Sequence, residues 1–175
     1  QRDSPDLLFE IMGFGKPPTD KGEARSEHLK QSFGPSLELV ADAIGLPLDE
    51  VVADGELAVA ARAVDIVAGT IEVGTVGGMR TTVSGLRDGK AILRFRATWF
   101  CTTETEPAWD VLPTGWRVTV EGDAPMTVDL PLDAPLDGMA GYTANRAVNA
   151  VPYVCAAPPG IRTTVDLPPV IPALG

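Results

Sequence analysis

The stretch that most restricts the fold is "TTVSGLRDGKAILRFRATWFC", residues 81–101, where apolar and polar side chains alternate on both sides of an Asp-Gly pair. A period of two marks strands with one buried face, and Asp-Gly between such runs signals a hairpin turn. In the second strand Leu93, Phe95, Ala97, Trp99 and Cys101 share one face. Two registers are open. A two-residue turn pairs 87 with 90 and sets Phe95 against Thr82 and Leu93 against Ser84. A three-residue loop with Gly89 as a G1 bulge shifts the pairing by one, so that Phe95 meets Val83 and Trp99 meets Met79. Because a one-residue slip exchanges the two faces of a strand, the expected register is the second, which matches apolar with apolar.

Strands extend on both sides of this hairpin. "DEVVADGELAVAARAV" (49–64) is β-rich with alternation in "ELAVAAR", "DIVAGTIEVGTVGGMRTTVSGL" (65–86) reads as a long strand leading into the turn, and "GWRVTVEGDAPMTVDLPL" (115–132) reads as a second hairpin around "EGDAP". Val118, Val120, Met126 and Val128 are its candidate inward residues. Helical periodicity holds elsewhere. In "SPDLLFEIMGFG" Ser4 suits the N-cap and Pro5 the first helical position, Asp6 favours the positive end of the dipole, and Gly13 or Gly15 stops the helix. Leu7, Leu8, Ile11 and Met12 form its stripe, with Phe9 and Phe14 beside it.

After the loop "GKPPTDKGE", residues 23–44 are helical but interrupted by "FGPS" at 33–36, which predicts two helices or one sharply kinked. Leu37, Val40, Ala41 and Ile44 form an apolar face ended by Gly45 and Pro47. Residues 137–154 return to helix, with Tyr142, Ala147, Val148 and Val151 on one face. Helices, then strands, then a closing helix imply an α+β fold: a mixed, largely antiparallel sheet with helices packed on one side. With 175 residues, the chain is expected to form a single domain, 1–175.

Charge excludes whole classes of partner. The net charge is −10, and only residues 62–103, with three acids and six bases, are locally positive. Those bases are scattered without aromatic interleaving, so nucleic acid is not an expected partner. No apolar run reaches the roughly 18 residues that span a bilayer and no signal segment opens the chain, which leaves no membrane association and a cytoplasmic default. Cys101 and Cys155 form no CxxC and no His cluster accompanies them, so no metal is expected and two buried free thiols are. The chain begins at Gln1 without Met, as if cut from something longer.

Several catalytic patterns fail on inspection. "GTIEVGTVGG" (69–78) lacks the Gly-Lys-Ser/Thr ending of a phosphate loop, and "GFGKPP" (13–18) lacks the third glycine of a dinucleotide fingerprint and follows a helix. Glycines within strands mark bulges or close backbone approaches instead. The only histidine, His28, lies on a surface helix in "EARSEHLKQSF" and cannot face Ser26 or Glu27. No GxSxG, HExxH or calcium loop occurs. Glu72, read as a carboxylate inside an apolar strand, points to solvent or to a site. At the chain's end, Asn149 sits between apolar residues on a helix, and the loop Pro158, Pro159, Gly160, Ile161, Arg162, Thr163 joins a stiff backbone to a guanidinium and a hydroxyl. A stiff loop loses little entropy on docking.

"SPDLLFEIMGFG", "FGPSLELVADAIG", "DIVAGTIEVGTVGG", "GWRVTVEGD" and "RAVNAVPYVCAAPPGIRTTVDLP" together resemble the C-terminal half of the dihydrodipicolinate reductase-like enzymes, which include 2,4-diaminopentanoate dehydrogenases and native amine dehydrogenases. The resemblance runs through nearly the whole chain in order. It implies an NAD- or NADP-dependent oxidoreductase acting on a small amine or oxo compound, and a Rossmann domain upstream of Gln1 that binds most of the cofactor. This chain would then be the substrate-binding and dimerising domain, a homodimer, inactive alone.

The resemblance further implies that the terminal helix and the loop after it return to the nucleotide domain. Asn149, Pro159, Gly160 and Thr163 are thereby the candidate substrate- or cofactor-facing residues, with Glu72 added from its strand position. The His-His and Lys motif of true dihydrodipicolinate reductases does not occur. The acidic residue linked to amine transfer belongs to the other half, so no catalytic residue is assigned here. The alternative is a stand-alone dimeric small-ligand-binding or structural α+β module without catalysis.

Overall fold

The computed structural model describes residues 5–18, 22–132 and 139–169. In order these form a π-helical turn Leu7–Ile11, α1 (Gly22–Ala43), β1 (Glu50–Ala60), β2 (Val64–Ile66), β3 (Gly69–Ile71), β4 (Val76–Arg87), β5 (Lys90–Phe100), β6 (Thr105–Glu106), β7 (Gly115–Val120), β8 (Met126–Pro131) and α2 (Met139–Ala156). They divide into two compact units, Gln1–Val111 and Leu112–Gly175. The class is α+β, and every described strand pairing is antiparallel.

The first unit is built on a four-stranded sheet in the order β5-β4-β1-β6. Its central hairpin has the apolar register, with Val83 opposite Phe95 and Met79 opposite Trp99. The route to that register combines both sequence alternatives. The turn is the two-residue kind, Arg87 pairing with Lys90, with Asp88 at φ 50° and Gly89 at φ 70°, the left-handed pair of a type I′ turn. The shift comes afterwards. Leu86 pairs with Ala91 but Gly85 with Leu93, so Ile92 is the extra residue of a bulge. The bulge turns Leu93 and Phe95 onto the face under α1, where both are half-buried.

α1 covers that face. Phe33 stacks on Phe95 with ring centroids 4.4 Å apart, and Gly34 lies against Val51, a Cβ there falling 3.4 Å from Val51 Cγ1. Of the two alternatives, two helices or one kinked at the proline, the structure has a single helix, which continues through Pro35. The pre-proline clash falls largely on the preceding Cβ, and Gly34 has none. Leu37 and Ala41 are buried as expected, but Val40 and Ile44 face outward, 49% and 56% exposed. The helix ends in a Schellman motif: Leu46 N–H donates to Ala41 C=O, and Gly45 N–H, at φ 72°, donates to Asp42 C=O.

The core of this unit lies at the far end of the sheet, around Phe14, Ile71, Val76 and Met79. Leu8, Phe9 and Met12 of the N-terminal segment pack on it while Leu7 turns outward, so the inward stripe is displaced by one position from the expected one. The Ser4 cap and the Ile11 side chain lie outside the described residues. Ser26 is buried and His28 exposed on α1, which keeps the two apart.

In the second unit β7 and β8 form the anticipated hairpin, with Trp116 opposite Leu130, Val118 opposite Val128 and Val120 opposite Met126. α2 covers the anticipated helix from Met139 on and runs past its expected end to Ala156; residues 137 and 138 and the side chain of Tyr142 lie outside the described residues. Ala147, Val148 and Val151 of its expected face are exposed. Asn149, Ala150 and Tyr153, at helical spacing, are half-buried instead. Val118, Val120, Met126 and Val128, expected to point inward, are exposed in this chain.

Candidate functional site

α2 stops where two prolines remove successive backbone donors, and the chain after it is held by its own side chains. The Arg162 guanidinium donates from Nε and an Nη to the carbonyl of Pro158, at 3.1 and 2.8 Å. These carbonyls lie just beyond the negative end of α2, where a cation is favoured. Gly160, at φ 139°, makes the reversal that brings Arg162 back, a conformation side-chain-bearing residues rarely adopt.

A second closure follows. Thr163 donates its backbone N–H and its hydroxyl to the same carboxylate oxygen of Asp166, at 2.8 and 2.7 Å. Asp166 N–H returns to the Thr163 carbonyl at 3.2 Å. Donation first from the Thr163 amide and then from its hydroxyl holds the Asp166 carboxyl below its ordinary range. Two consequences bear on chemistry. The hydroxyl proton of Thr163 is directed at Asp166, so the residue fastens the loop. Between the two closures the loop projects Ile161, 97% exposed, at its tip beside Gly160.

The sequence-predicted residues are therefore only partly gathered. Pro159, Gly160 and Thr163 belong to this one self-fastened loop, and Asn149 stands half-buried earlier on α2. Glu72 is in the other unit and is not inside a strand. It follows β3 in an exposed turn, where its carbonyl accepts the Thr75 N–H and hydroxyl at 3.2 and 2.6 Å. The β-rich composition of 65–80 hid that turn, whose glycine, Gly74, has φ 77°.

The hairpin of the same unit carries a feature that sequence reading half caught. Trp116, Val118, Val120, Met126, Val128 and Leu130 make three apolar cross-strand pairs on one face, each residue 39–57% exposed. On the reverse face Arg117 Nε and an Nη hold the two oxygens of Asp129 at 2.7 and 3.0 Å, and Thr119 opposes Thr127. That donation holds the Asp129 carboxyl low. One side is thus satisfied in water and the other is a hydrophobic ladder. Trp116 and Leu130, the ends of the ladder, obey the same alternation that flagged the other four.

The first unit offers a charged group. Arg80 lies 4.2 Å from the centroid of the Trp109 ring and 3.8 Å from a Glu56 oxygen, its side chain 12% exposed. Burial first, then the charge of Arg96, holds its pKa below the usual guanidinium value, against the pull of Glu56. Stacking and pairing make Arg80 a fixed part of the sheet surface.

The glycine-rich segment does not fit a dinucleotide. It leads from β3 through a turn into β4, and no helix N-terminus follows to receive a pyrophosphate. Gly77 and Gly78 are closed over by Ala60 and by Trp109, a Cβ on Gly78 falling 3.0 Å from the indole. Among the described residues no group of His, Cys, Asp and Glu could hold a metal ion, and no helix is long and apolar enough to cross a membrane.

Antiparallel sheets with a few helices place the chain in the α+β class. The model of the 2,4-diaminopentanoate dehydrogenase C-terminal domain matches residues 26–174, and the chain belongs to that family. Among solved structures the amine dehydrogenase of Mycobacterium smegmatis is similar at 20% identity with a TM-score of 0.55, the likeness covering 95% of this chain and 43% of that one. That likeness is one of fold, and the chain spans less than half the length of that relative. No curated protein matches.

Proposed function

We propose that this chain is the substrate-binding and dimerising part of an NAD(P)-dependent oxidoreductase acting on a small amine or oxo compound. In this reading all 175 residues act together and a Rossmann domain holds the nicotinamide nucleotide. The family match across residues 26–174 carries the reading.

Within it the terminal loop closes on the bound substrate and cofactor. The backbone of Pro159 and Gly160 makes the approach, Ile161 excludes water, and Asn149 offers a neutral amide. Thr163 positions the loop through Asp166.

Calorimetric titration of the chain with NADH and with NADPH is expected to give no binding below millimolar concentrations. Micromolar binding by these residues alone would overturn the division of labour. In the enzyme complete with its nucleotide domain, Thr163→Val should lower turnover by about tenfold, since 1.4 kcal/mol of lost positioning is a factor of ten. Thr163→Ser, which keeps the hydroxyl, should restore it. Equal rates for both variants would remove Thr163 from the site.

A further inference from the structure

β5 is the edge of the sheet, and among the described residues no strand pairs with its outer side. At eleven residues it is a long unpaired edge, the kind of template that proteins cover or use. Its backbone phase is fixed by the Cys101 N–H, which donates inward to the Gly77 carbonyl at 2.8 Å. Hydrogen-bonded pairs recur every second residue. Residues 93, 95, 97 and 99 therefore direct their amides to β4, while Arg94, Arg96, Thr98 and Phe100 direct theirs outward.

Side-chain charge then selects what this edge can accept. Arg94 and Arg96 are both exposed along it, and like charges directly opposite one another on adjacent strands are destabilising. Within the sheet the same strand solves this problem by opposing each arginine to a hydroxyl. Arg80 faces Thr98 and Thr82 faces Arg96, with Nε to Oγ1 distances of 3.4 and 3.3 Å.

We infer that β5 pairs antiparallel with β5 of a second copy about a two-fold axis at Ala97, joining the two four-stranded sheets into one. This rests on the dimerisation in the proposed function and names its seam. In this register Arg96 lies opposite Thr98 of the second copy, twice, repeating the arginine–hydroxyl pairing already present inside each sheet. Both residues have outward amides, so they form the hydrogen-bonded pair that the edge requires.

On the other face Phe95 meets Trp99 of the second copy and extends the apolar row over α1. Ala97 meets itself at a non-hydrogen-bonded position, where Cα atoms approach to about 4.5 Å and a small side chain is needed. Moving the axis to residue 96 opposes two Arg96 guanidinium groups. Moving it to residue 98 replaces the Arg96–Thr98 pair by Arg96 against Phe100, the contact that Arg94 makes with the axis at Ala97.

Light scattering and cysteine trapping test this in a Cys155→Ser background, which removes the exposed native thiol. The chain should scatter with twice its own mass. Ala97→Cys should give a covalent dimer as the main species under mild oxidation. Arg94→Cys, about 20 Å from its symmetry mate in this register at 3.4 Å per residue, should stay single on the same gel. A dimer by scattering in which Ala97→Cys fails to cross-link, or cross-links no better than Arg94→Cys, overturns the seam and leaves dimerisation standing. A monomer overturns both.

A second pair of variants avoids any dependence on oxidation. Thr98→Arg sets a second arginine opposite Arg96 across the seam and also beside Arg80 within its own sheet, so it is read as the dimer's dissociation constant in a chain whose circular dichroism is unchanged; there it should weaken the dimer at least tenfold, and Thr98→Glu should not. Equal effects of the two would also overturn the seam.

Discussion

At the scale of single residues, hydrogen bonds decide roles that residue type leaves open. Thr163 looks like a substrate-binding hydroxyl, yet its proton goes to Asp166. Glu72 looks like a site carboxylate, yet its carbonyl builds a turn. The two cysteines diverge in the same way. Cys101 is half-buried against the core and desolvation raises its thiol pKa to about 11, whereas Cys155 is exposed on α2, contrary to the expectation that both are buried. Raising the pKa keeps Cys101 a neutral thiol at pH 8, and only thiolate reacts with an alkylating agent. Iodoacetamide at pH 8 should therefore label Cys155 first by peptide mass spectrometry, with Cys101 following only as the pH rises towards 11 or the chain unfolds. Equal labelling of the two would contradict the packing around Cys101.

At the scale of elements, the β4–β5 hairpin shows how far patterning reaches. Alternation demanded Val83 against Phe95, and the structure has it. The pattern could not say whether the slip arises in the turn or after it, because both place the same side chains on the same face. The structure places it at Ile92, 39% exposed. Deleting Ile92 removes the extra residue, so the two-residue turn runs straight into the native register. The deletion should then cost about 1 kcal/mol or less, with the cross-strand contact between Val83 and Phe95 still present by NMR. Loss of that contact would show that the bulge sets the register instead of merely absorbing the mismatch. α1 teaches the complementary lesson: the proline at 35 does not divide the helix, because the residue before it is a glycine without a Cβ and Phe33 is held against Phe95.

At the scale of the whole molecule, the second unit exposes an apolar face. A lone two-stranded hairpin is marginal in water, and this one leaves three apolar pairs open on one face. Val118→Lys and Thr119→Lys place the same charge on opposite faces of β7. In the isolated chain neither should change stability by more than about 0.5 kcal/mol, as for other exposed positions. In the proposed enzyme with its nucleotide domain, Val118→Lys alone should lower the melting temperature, because a charge would then be desolvated against a covering surface. Equal melting of the two variants in the complete enzyme would mean that the apolar face stays in water.

Alternation, turn chemistry and helix punctuation, which act over a few residues, determined by themselves the α+β class, both hairpins, the first register and the positions of α1 and α2. The order of motifs along the chain also pointed to the family. Only the tertiary structure decided which apolar faces are covered, where Thr163 sends its proton, that Glu72 sits in a turn, and that β5 is an edge. Those outcomes depend on what packs from distant parts of the chain, and burial and partner choice are properties of the assembled surface that no local window of sequence contains.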